Sequence, residues 1–484
     1  MMKNNSLVTT HTHISYYESC FYFLVWSCAI IYSVYQFYLA NNYFDDYYDA
    51  YGDFDSGWIW VGKKRDISDQ EWLVWLTLVN RLIPYIFIHH FISQIIKVHS
   101  NNMILCYWYI VSSIIFLYHY LGTLSMLCAI LQPSFLHILT HICSKNTAWT
   151  IHILYLFVIH ILKTPNGTFQ SWLGITDEKH YILTLLMCWI HLRSISHNMD
   201  SIDDQFSNSN NFIQKLAYCL YLPTLFLGPL ILYHEFVESI NQPHEYWNYQ
   251  RLLTFILNLV RYMFWLYVTE LLLHFIYTNA IQYHSQVVQN LNSWALYGLG
   301  YCMGQFFFNK YVVIYGTCSS LCYLDNIKAP SQPKCIARIH LYSDMWKHFD
   351  RGLYKFLIRY IYVPIQKSQK YRYFGKLFAS FTCFTFVFIW HGIQMNIFIW
   401  TLLNFIGIII ENIGVSIGKT SPLLAISAIS NFYFLGGREI GNIFIQNILY
   451  DGSWKSLSIL LFFLYCCCHV SVDVKSWELR HIRR

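Results

Sequence analysis

Long apolar segments follow one another along nearly the whole chain, separated by short polar ones. They cover residues 20–40, 72–97, 103–141, 148–163, 181–197, 212–236, 252–282, 292–324, 377–410, 423–435 and 456–472. A helix that crosses a bilayer needs about 20 mainly apolar residues, so the pattern predicts an all-α polytopic membrane protein with about ten to twelve transmembrane or re-entrant helices. The runs are continuous rather than alternating, which argues against a membrane β-barrel.

The polar interruptions are too short to separate domains, so the sequence predicts a single integrated membrane domain over residues 1–484. We expect the first apolar run to be a transmembrane helix, because no small-residue cleavage site of a signal peptide follows it. The interruption at 41–71 is acidic and then basic, and it ends with Ser68 and Glu71 at capping-box spacing. Two roles stay open for this loop: a solvated connector, or a part in admitting substrate.

The composition supports a membrane protein and excludes some other classes. Charged residues make up 12% of the chain, about half the usual share of a soluble domain. The net charge of +6 is modest and forms no nucleic-acid patch, so we expect no nucleic acid as a partner. The fifteen cysteines show no zinc-ligand spacing. Three adjacent cysteines lie on an apolar segment: Cys466, Cys467 and Cys468. We expect them to be packing thiols or palmitoylation sites.

One histidine lies in the middle of the longest uncharged stretch. Residues Leu377–Ile410 are 34 in number and include no Asp, Glu, Lys or Arg, and His391 falls near their centre. Polar groups inside a membrane are costly and usually line a cavity or a proton path. His391 is therefore a candidate catalytic base, and a buried packing histidine is the alternative.

A second segment, SDMWKHFDRGLYKFLIRYIYVPI (residues 343–365), has the pattern of an amphipathic helix. At about 100° per residue, Lys347, Arg351, Lys355 and Arg359 form a cationic stripe beside an apolar arc, and Pro364 ends the predicted helix. Lipid headgroups would satisfy the stripe, and so would the phosphates of an acyl-coenzyme A. Asp350 falls within the apolar arc, where a carboxylate is costly unless it is paired or functional.

These segments resemble the membrane-bound O-acyltransferase (MBOAT) family, in particular its protein-cysteine N-palmitoyltransferase branch, the Hedgehog acyltransferases. The blocks MWKHFDRGLYKFLIRYIYVPI and WHGIQMNIFIWTLLNFIGIIIENIG are similar to the branch's segments around its catalytic Asp and His. NFYFLGGREIG is similar to its late Gly-Gly block, and here Gly436 and Gly437 also predict a break in an apolar helix. GKKRDISDQEW and LPTLFLGPLILYHEF extend the likeness upstream. It covers about residues 58–472 and is strongest in 333–472, the predicted catalytic core segments.

The resemblance implies an MBOAT fold around a central catalytic tunnel and transfer of palmitate from palmitoyl-CoA to the N-terminal cysteine amine of a Hedgehog-type secreted protein. It implies location in the endoplasmic reticulum membrane, between cytosolic acyl-CoA and a lumenal acceptor. By the same likeness His391 is the general base and Asp350 its companion. Positions that match the acyl-CoA site are Trp346, Lys347, Asn404 and Asn431. Cys335 matches a haem-iron ligand, which would make haem a cofactor.

Two other functions remain open from the sequence. Another MBOAT enzyme would acylate a lysolipid, a sterol or a serine hydroxyl. A membrane scaffold or transporter would turn over no acyl-CoA, and it would leave the pairing of His391 with Asp350 unexplained.

Overall fold

The computed structural model describes residues 15–41, 52–99, 101–165, 167–202, 212–243, 246–335, 341–368, 372–417, 423–450 and 452–482. The helices are α1 (Tyr16–Asn41), α2 (Gln70–His99), α3 (Asn102–Leu121), α4 (Thr123–Ile142), α5 (Lys145–Leu162), α6 (Thr168–Leu173), α7 (Asp177–Ile202), α8 (Phe212–Cys219), α9 (Tyr233–Asn241), α10 (Tyr249–Leu272), α11 (Ser285–Gln289), α12 (Ser293–Leu324), α13 (Tyr342–His348), α14 (Arg351–Leu357), α15 (Val363–Ser368), α16 (Arg372–His391), α17 (Met395–Ile417), α18 (Leu423–Ile445) and α19 (Trp454–Ile482). The strands are β1 (Phe54–Asp55) and β2 (Arg65–Asp66).

Seven helices are long and apolar enough to cross a bilayer. They are α1, α2, α3, α10, most of α16 (Phe374–His391), most of α17 (Met395–Ile413) and most of α19 (Trp454–Glu478). Five further helices, α4, α5, α7, α12 and α18, have at least 18 residues. The prediction of an all-α polytopic membrane protein is therefore confirmed.

Helix α7 lies in the middle of the fold, which explains its mixed composition. Nearly every residue from His180 to Asp200 is buried, including several polar ones. The guanidinium of Arg193 donates to the carbonyl oxygen of Cys219 at 3.0 Å and to Thr224 Oγ1 at 2.9 Å. The ammonium of Lys215 donates to Asn198 Oδ1 at 3.2 Å. Buried charges in this protein interior are thus supplied with hydrogen-bond partners.

The loop between α1 and α2 is packed against the end of α10. Strands β1 and β2 pair antiparallel, with Phe54 opposite Asp66. Asp66 accepts hydrogen bonds from the backbone N–H groups of Asn279 and Ala280 at 2.8 and 3.0 Å. Arg65 lies between the carboxylates of Asp55 and Glu270. The described part of this loop is therefore anchored; residues 42–51 lie outside the described residues.

The capping-box prediction for this loop is wrong. The backbone N–H of Trp72 donates to Asp69 Oδ1 at 2.7 Å, so Asp69 caps α2. Ser68 instead donates to Asp53 at 3.2 Å. Glu71 forms an ion pair with the ammonium of Lys310 at 2.9 Å instead of completing the capping box.

The predicted amphipathic helix over residues 343–365 is also corrected. Helix α13 ends at His348, the chain turns at Phe349 and Asp350, and α14 begins at Arg351. Asp350 itself interrupts the helix, because its side chain accepts a hydrogen bond from the backbone N–H of Leu353, as an N-cap does. A π-helical turn (Ile358–Tyr362) follows α14, and Pro364 lies inside α15 rather than ending the element.

The cysteine prediction holds as far as packing is concerned. All fifteen cysteines are described, and none forms a disulfide. Cys466, Cys467 and Cys468 are buried on α19. These three therefore act as packing thiols in this structure.

Candidate functional site

A cavity of about 440 Å³ lies between the first turn of α2, the end of α5, and helices α7, α12, α13, α14 and α16 to α18. Four of the seven predicted site residues line it: Trp346, Asp350, His391 and Asn431. These residues come from three separate segments of the chain. The fold therefore brings His391 and Asp350 to one cavity, although 40 residues separate them in sequence.

His391 is the last residue of α16 and lies among aromatic rings. Its ring makes edge-to-face contacts with Trp390, Trp400 and Phe434, at centroid distances of 4.7, 5.5 and 5.4 Å. Gly392 follows at φ +136°, a conformation that favours glycine, and turns the chain toward α17. No described residue hydrogen-bonds to the imidazole. The ring is thus oriented by packing, and its nitrogens remain available to a molecule in the cavity.

Asp350 is held by two donors at the break between α13 and α14. Its Oδ1 accepts from the backbone N–H of Leu353 and its Oδ2 from the hydroxyl of Tyr315, both at 2.9 Å. Burial raises the pKa of this carboxyl group above its usual range. Asp350 does not hydrogen-bond to His391, so in this structure it does not orient the imidazole. Both groups line the same cavity.

Trp346 lines the cavity, and Asn404 lies behind it. The indole Nε1 of Trp346 donates to Asn404 Oδ1 at 3.0 Å, and Asn404 Nδ2 donates to the carbonyl oxygen of Trp400 at 2.8 Å. Asn404 is fully buried and does not line the cavity. This position suits a residue that supports the Trp346 ring rather than one that contacts acyl-CoA.

None of the four cations of the predicted stripe lines this cavity. Lys347 is exposed and does not line the cavity. Lys355 forms an ion pair with Glu235, and Arg359 with Asp200 at 2.9 Å. Arg351 donates to Ser331 Oγ at 3.3 Å. Three of the four stripe residues therefore bind protein groups, which neither the headgroup nor the phosphate interpretation anticipated.

A charged cluster in the same cavity was missed by the sequence analysis. The ammonium of Lys310 lies 2.8 Å from Asp69 Oδ2 and 2.9 Å from Glu71 Oε2. The hydroxyl of Tyr311 donates to Glu71 at 3.2 Å. Lys310 is on α12 and both acids are at the start of α2, about 240 residues away. Only Lys310, an isolated cation in an apolar run, was a signal in the sequence.

A second cavity of about 360 Å³ lies between α1, α12, α18 and α19 and is lined mainly by apolar side chains. Met345, Asn431 and Leu435 line both cavities, so the two adjoin at these residues. The chain bends beside them, because Gly437 (φ +79°, ψ −175°) interrupts α18. This break confirms the prediction made from Gly436 and Gly437.

The haem prediction receives no support from the described residues. The thiol of Cys335 is half-buried and lies 3.7 Å from the side-chain amide nitrogen of Gln305. Cys335 lines neither cavity, whereas an axial ligand must face a cleft wide enough for a porphyrin. Residues 336–340 lie outside the described residues.

Comparison with known proteins adds to this geometry. The family model described as "MBOAT, membrane-bound O-acyltransferase family" matches residues 144–435. The chain is 28% identical to the protein-cysteine N-palmitoyltransferase Rasp of Drosophila melanogaster, over 92% of each chain. It is 26% identical to the protein-cysteine N-palmitoyltransferase HHAT of Mus musculus, over 91% of this chain and 94% of that one. A membrane-bound O-acyltransferase GUP1 of Candida tropicalis is 24% identical, over 83% of this chain and 75% of its own length.

Proposed function

The chain belongs to the membrane-bound O-acyltransferase family, and from that premise we propose that it transfers palmitate from palmitoyl-CoA to the N-terminal cysteine amine of a Hedgehog-type secreted protein. The observation that carries the proposal is the placement of His391 and Asp350 on one cavity inside a membrane protein. Acyl transfer itself follows from the family. The choice of palmitate and of a cysteine amine draws on the similarity to the two relatives named as protein-cysteine N-palmitoyltransferases.

In the proposed reaction, the α-amino nitrogen of the acceptor attacks the thioester carbonyl carbon of palmitoyl-CoA. A carbon–nitrogen bond forms, the carbon–sulfur bond breaks, and the amine gives up one proton while the coenzyme A thiolate takes one. His391 is the proposed base for the amine proton, because imidazole has a reference pKa of about 6.5 and an α-amino group one of about 7.7–8.0. Its ring is packed against three aromatic rings, and no described residue hydrogen-bonds to its nitrogens.

Asp350 is proposed to act on the acceptor rather than on His391. Its two oxygens already accept from Leu353 and Tyr315, and each carboxylate oxygen can accept a further hydrogen bond. A cysteine ammonium that enters the cavity would be attracted by this carboxylate before it loses its proton. Trp346 and Asn431 are proposed to contact the acyl chain near the thioester, since both line the cavity.

The second, apolar cavity is proposed to receive the remainder of the acyl chain. It adjoins the first at Met345, Asn431 and Leu435, and its lining is mainly apolar. The proposed catalytic core, residues 333–472, supplies about half of the residues that line the first cavity, and Asp69, Lys163 and Tyr315 are among those from outside it. Location in the endoplasmic reticulum membrane completes the proposal, because the donor is cytosolic and a secreted acceptor is lumenal.

A direct transfer assay tests this function. The purified chain is incubated with labelled palmitoyl-CoA and a peptide that begins with cysteine, and the same peptide with an acetylated N-terminus is the control. We expect label on the free-amine peptide alone, resistant to hydroxylamine as an amide is. A lysophospholipid and a peptide that begins with serine are offered in parallel. Label on either of these, with none on the cysteine peptide, would overturn the proposal in favour of an O-acyltransferase.

A further inference from the structure

Two histidines and one aspartate converge away from the catalytic cavity. His89 and His90 are neighbours on α2, and Asp325 is the C-cap residue that directly follows α12. All three are buried, and their ligand atoms lie within 4.8 Å of one another. None of them lines either large cavity. Twenty residues of helix separate His89 from Asp69, so the cluster lies about 30 Å along α2 from the cavity.

Two of the distances within the cluster fit a shared metal ion. His89 Nε2 lies 3.3 Å from Asp325 Oδ2, and His90 Nδ1 lies 3.3 Å from Asp325 Oδ1. Zinc binds imidazole nitrogen and carboxylate oxygen at about 2.0–2.2 Å, which separates two ligands of a tetrahedron by about 3.3–3.5 Å. Neither nitrogen makes a hydrogen bond, and neither does Asp325 Oδ1. Three buried ligand atoms thus lie close together without a hydrogen bond among them.

The hydrogen-bond partners of His89 fix which nitrogen faces the aspartate. His89 Nδ1 lies 2.8 Å from Ser112 Oγ, and the Ser112 hydroxyl donates to the carbonyl oxygen of Tyr109. A serine hydroxyl has one hydrogen to donate, so Ser112 must accept from His89 Nδ1–H. In the neutral imidazole the lone pair is then on Nε2, facing a carboxylate oxygen. Two facing acceptors at this distance are held together by a proton, as in an imidazolium–carboxylate pair, or by a metal cation that both groups ligate.

The surroundings resemble the outer shell of a metal site. Ligating histidines usually donate their second N–H to a fixed acceptor, as His89 does to Ser112. The hydroxyl of Tyr221 donates to Asp325 Oδ2 at 2.8 Å, and the Tyr109 ring stacks on His89 at 5.1 Å. The ammonium of Lys97 is 4.0 Å from Asp325 Oδ1 and donates to the Asp325 backbone carbonyl. Lys97 thus offsets part of the carboxylate charge but does not bridge the histidines to it.

We propose that His89, His90 and Asp325 bind a divalent transition-metal ion of the zinc class, which fastens α2 to the end of α12. Imidazole and carboxylate ligands suit such an ion, and three protein ligands leave a fourth position for water. The ion would be structural, because the cluster is remote from His391 and Asp350. The proposal does not depend on which acyl group or acceptor the enzyme uses.

Metal content tests the proposal on the full-length chain, purified without a polyhistidine tag. After treatment with a chelator and reconstitution with zinc, we expect about one zinc per chain by mass spectrometry of the metal. His90→Gln should abolish stoichiometric zinc. His191→Gln, a control at another buried histidine, whose ring contacts His152 and Tyr155, should keep it. Ser112→Ala, which removes only the outer-shell acceptor, should weaken zinc binding about 10- to 100-fold, and Ser112→Thr should restore it.

A second measurement covers the case in which a variant does not fold. Cobalt(II) added to the unmodified, metal-free chain should give the visible absorption of a low-coordinate cobalt site, and zinc should displace it. Added zinc should also raise the unfolding temperature of the unmodified chain and not that of His90→Gln. A chain that retains no zinc and shows no cobalt spectrum would overturn the proposal and leave a protonated histidine–aspartate pair. Equal zinc content in His90→Gln would overturn it as well.

Discussion

The hydrogen bond between Trp346 and Asn404 gives a prediction that separates support from substrate contact. Asn404 is fully buried behind the indole, and its Oδ1 is the acceptor for Trp346 Nε1 at 3.0 Å. Asn404→Leu keeps the approximate shape of the side chain and removes that acceptor. We expect the indole to rotate because its N–H has lost its hydrogen-bond acceptor. The rotation moves the ring away from the place where the acyl chain of palmitoyl-CoA would lie.

The size of the effect follows from the cost of an unpaired polar group. Leaving a buried donor without an acceptor costs about 1–3 kcal/mol, so catalytic efficiency toward palmitoyl-CoA should fall by roughly 5- to 150-fold. Replacing both partners by apolar groups costs much less than replacing one. In a Trp346→Phe background, which has no indole N–H, Asn404→Leu should therefore change that efficiency by no more than about twofold.

The assay is initial-rate kinetics for palmitoyl-CoA at a saturating concentration of the cysteine peptide, on the four proteins of this cycle. Asn412→Leu is the control, because Asn412 lies on the same helix with an exposed side chain. Its kinetics should match those of the unmodified chain. An equal loss from Asn404→Leu in both backgrounds would refute the reasoning, since Asn404 would then act independently of the Trp346 N–H.

Three further substitutions follow from the cavity. His391→Ala should lower kcat by about 10²- to 10⁴-fold, the usual contribution of a general base, and leave the protein monodisperse in detergent. His119→Ala, at an exposed histidine of α3, should retain full turnover, and near-normal turnover by His391→Ala would remove the base assignment. Tyr315→Phe removes one hydrogen-bond donor to Asp350 and should cost about 1.5–3 kcal/mol of transition-state stabilisation, measured as a fall in kcat/KM. Unchanged kinetics would show that the Asp350 carboxylate does not need this hydrogen bond. Lys310→Met leaves two carboxylates without their cation and should lower the free energy of unfolding by up to about 3–5 kcal/mol in denaturant titrations. Replacing both acids by their amides in that variant should restore most of the loss, and no recovery would point to lost packing instead.

The features predicted well from the sequence are those that a short segment determines by itself. Apolar length alone identifies the membrane helices, because each must cover the same bilayer thickness. The break at Gly437 was predictable because two glycines in an apolar helix allow backbone angles that other residues avoid. His391 was found by its isolation in an uncharged run, and its convergence with Asp350 by resemblance.

The predictions from the sequence were wrong where a residue distant in the chain determines the local structure. Ser68 and Glu71 have capping-box spacing, but Glu71 binds Lys310 from α12 instead. Asp350 was placed on a continuous helix, whereas Tyr315 and the Leu353 N–H hold it at a helix break. A periodic pattern contains no information about contacts between segments that are tens or hundreds of residues apart.

The partners of the cations were not predicted for the same reason. Lys355 and Arg359 match a membrane-facing stripe by spacing, yet each has an acidic partner on another segment, Glu235 and Asp200. A helical wheel shows which side chains share a face, and it does not show what lies opposite that face. The spacing of the cations therefore could not show whether they bind phosphate.

A double-mutant cycle on His391 and Asp350 tests the central claim most directly, which is that both groups act on one reaction in one cavity. Transfer rates are measured for the unmodified chain, His391→Ala, Asp350→Asn and the double variant, with palmitoyl-CoA and the cysteine peptide saturating. Residues that act as a unit give grossly non-additive losses. We predict that the double variant is no slower than about the slower single variant. A rate reduced by the product of the two single losses would contradict the account.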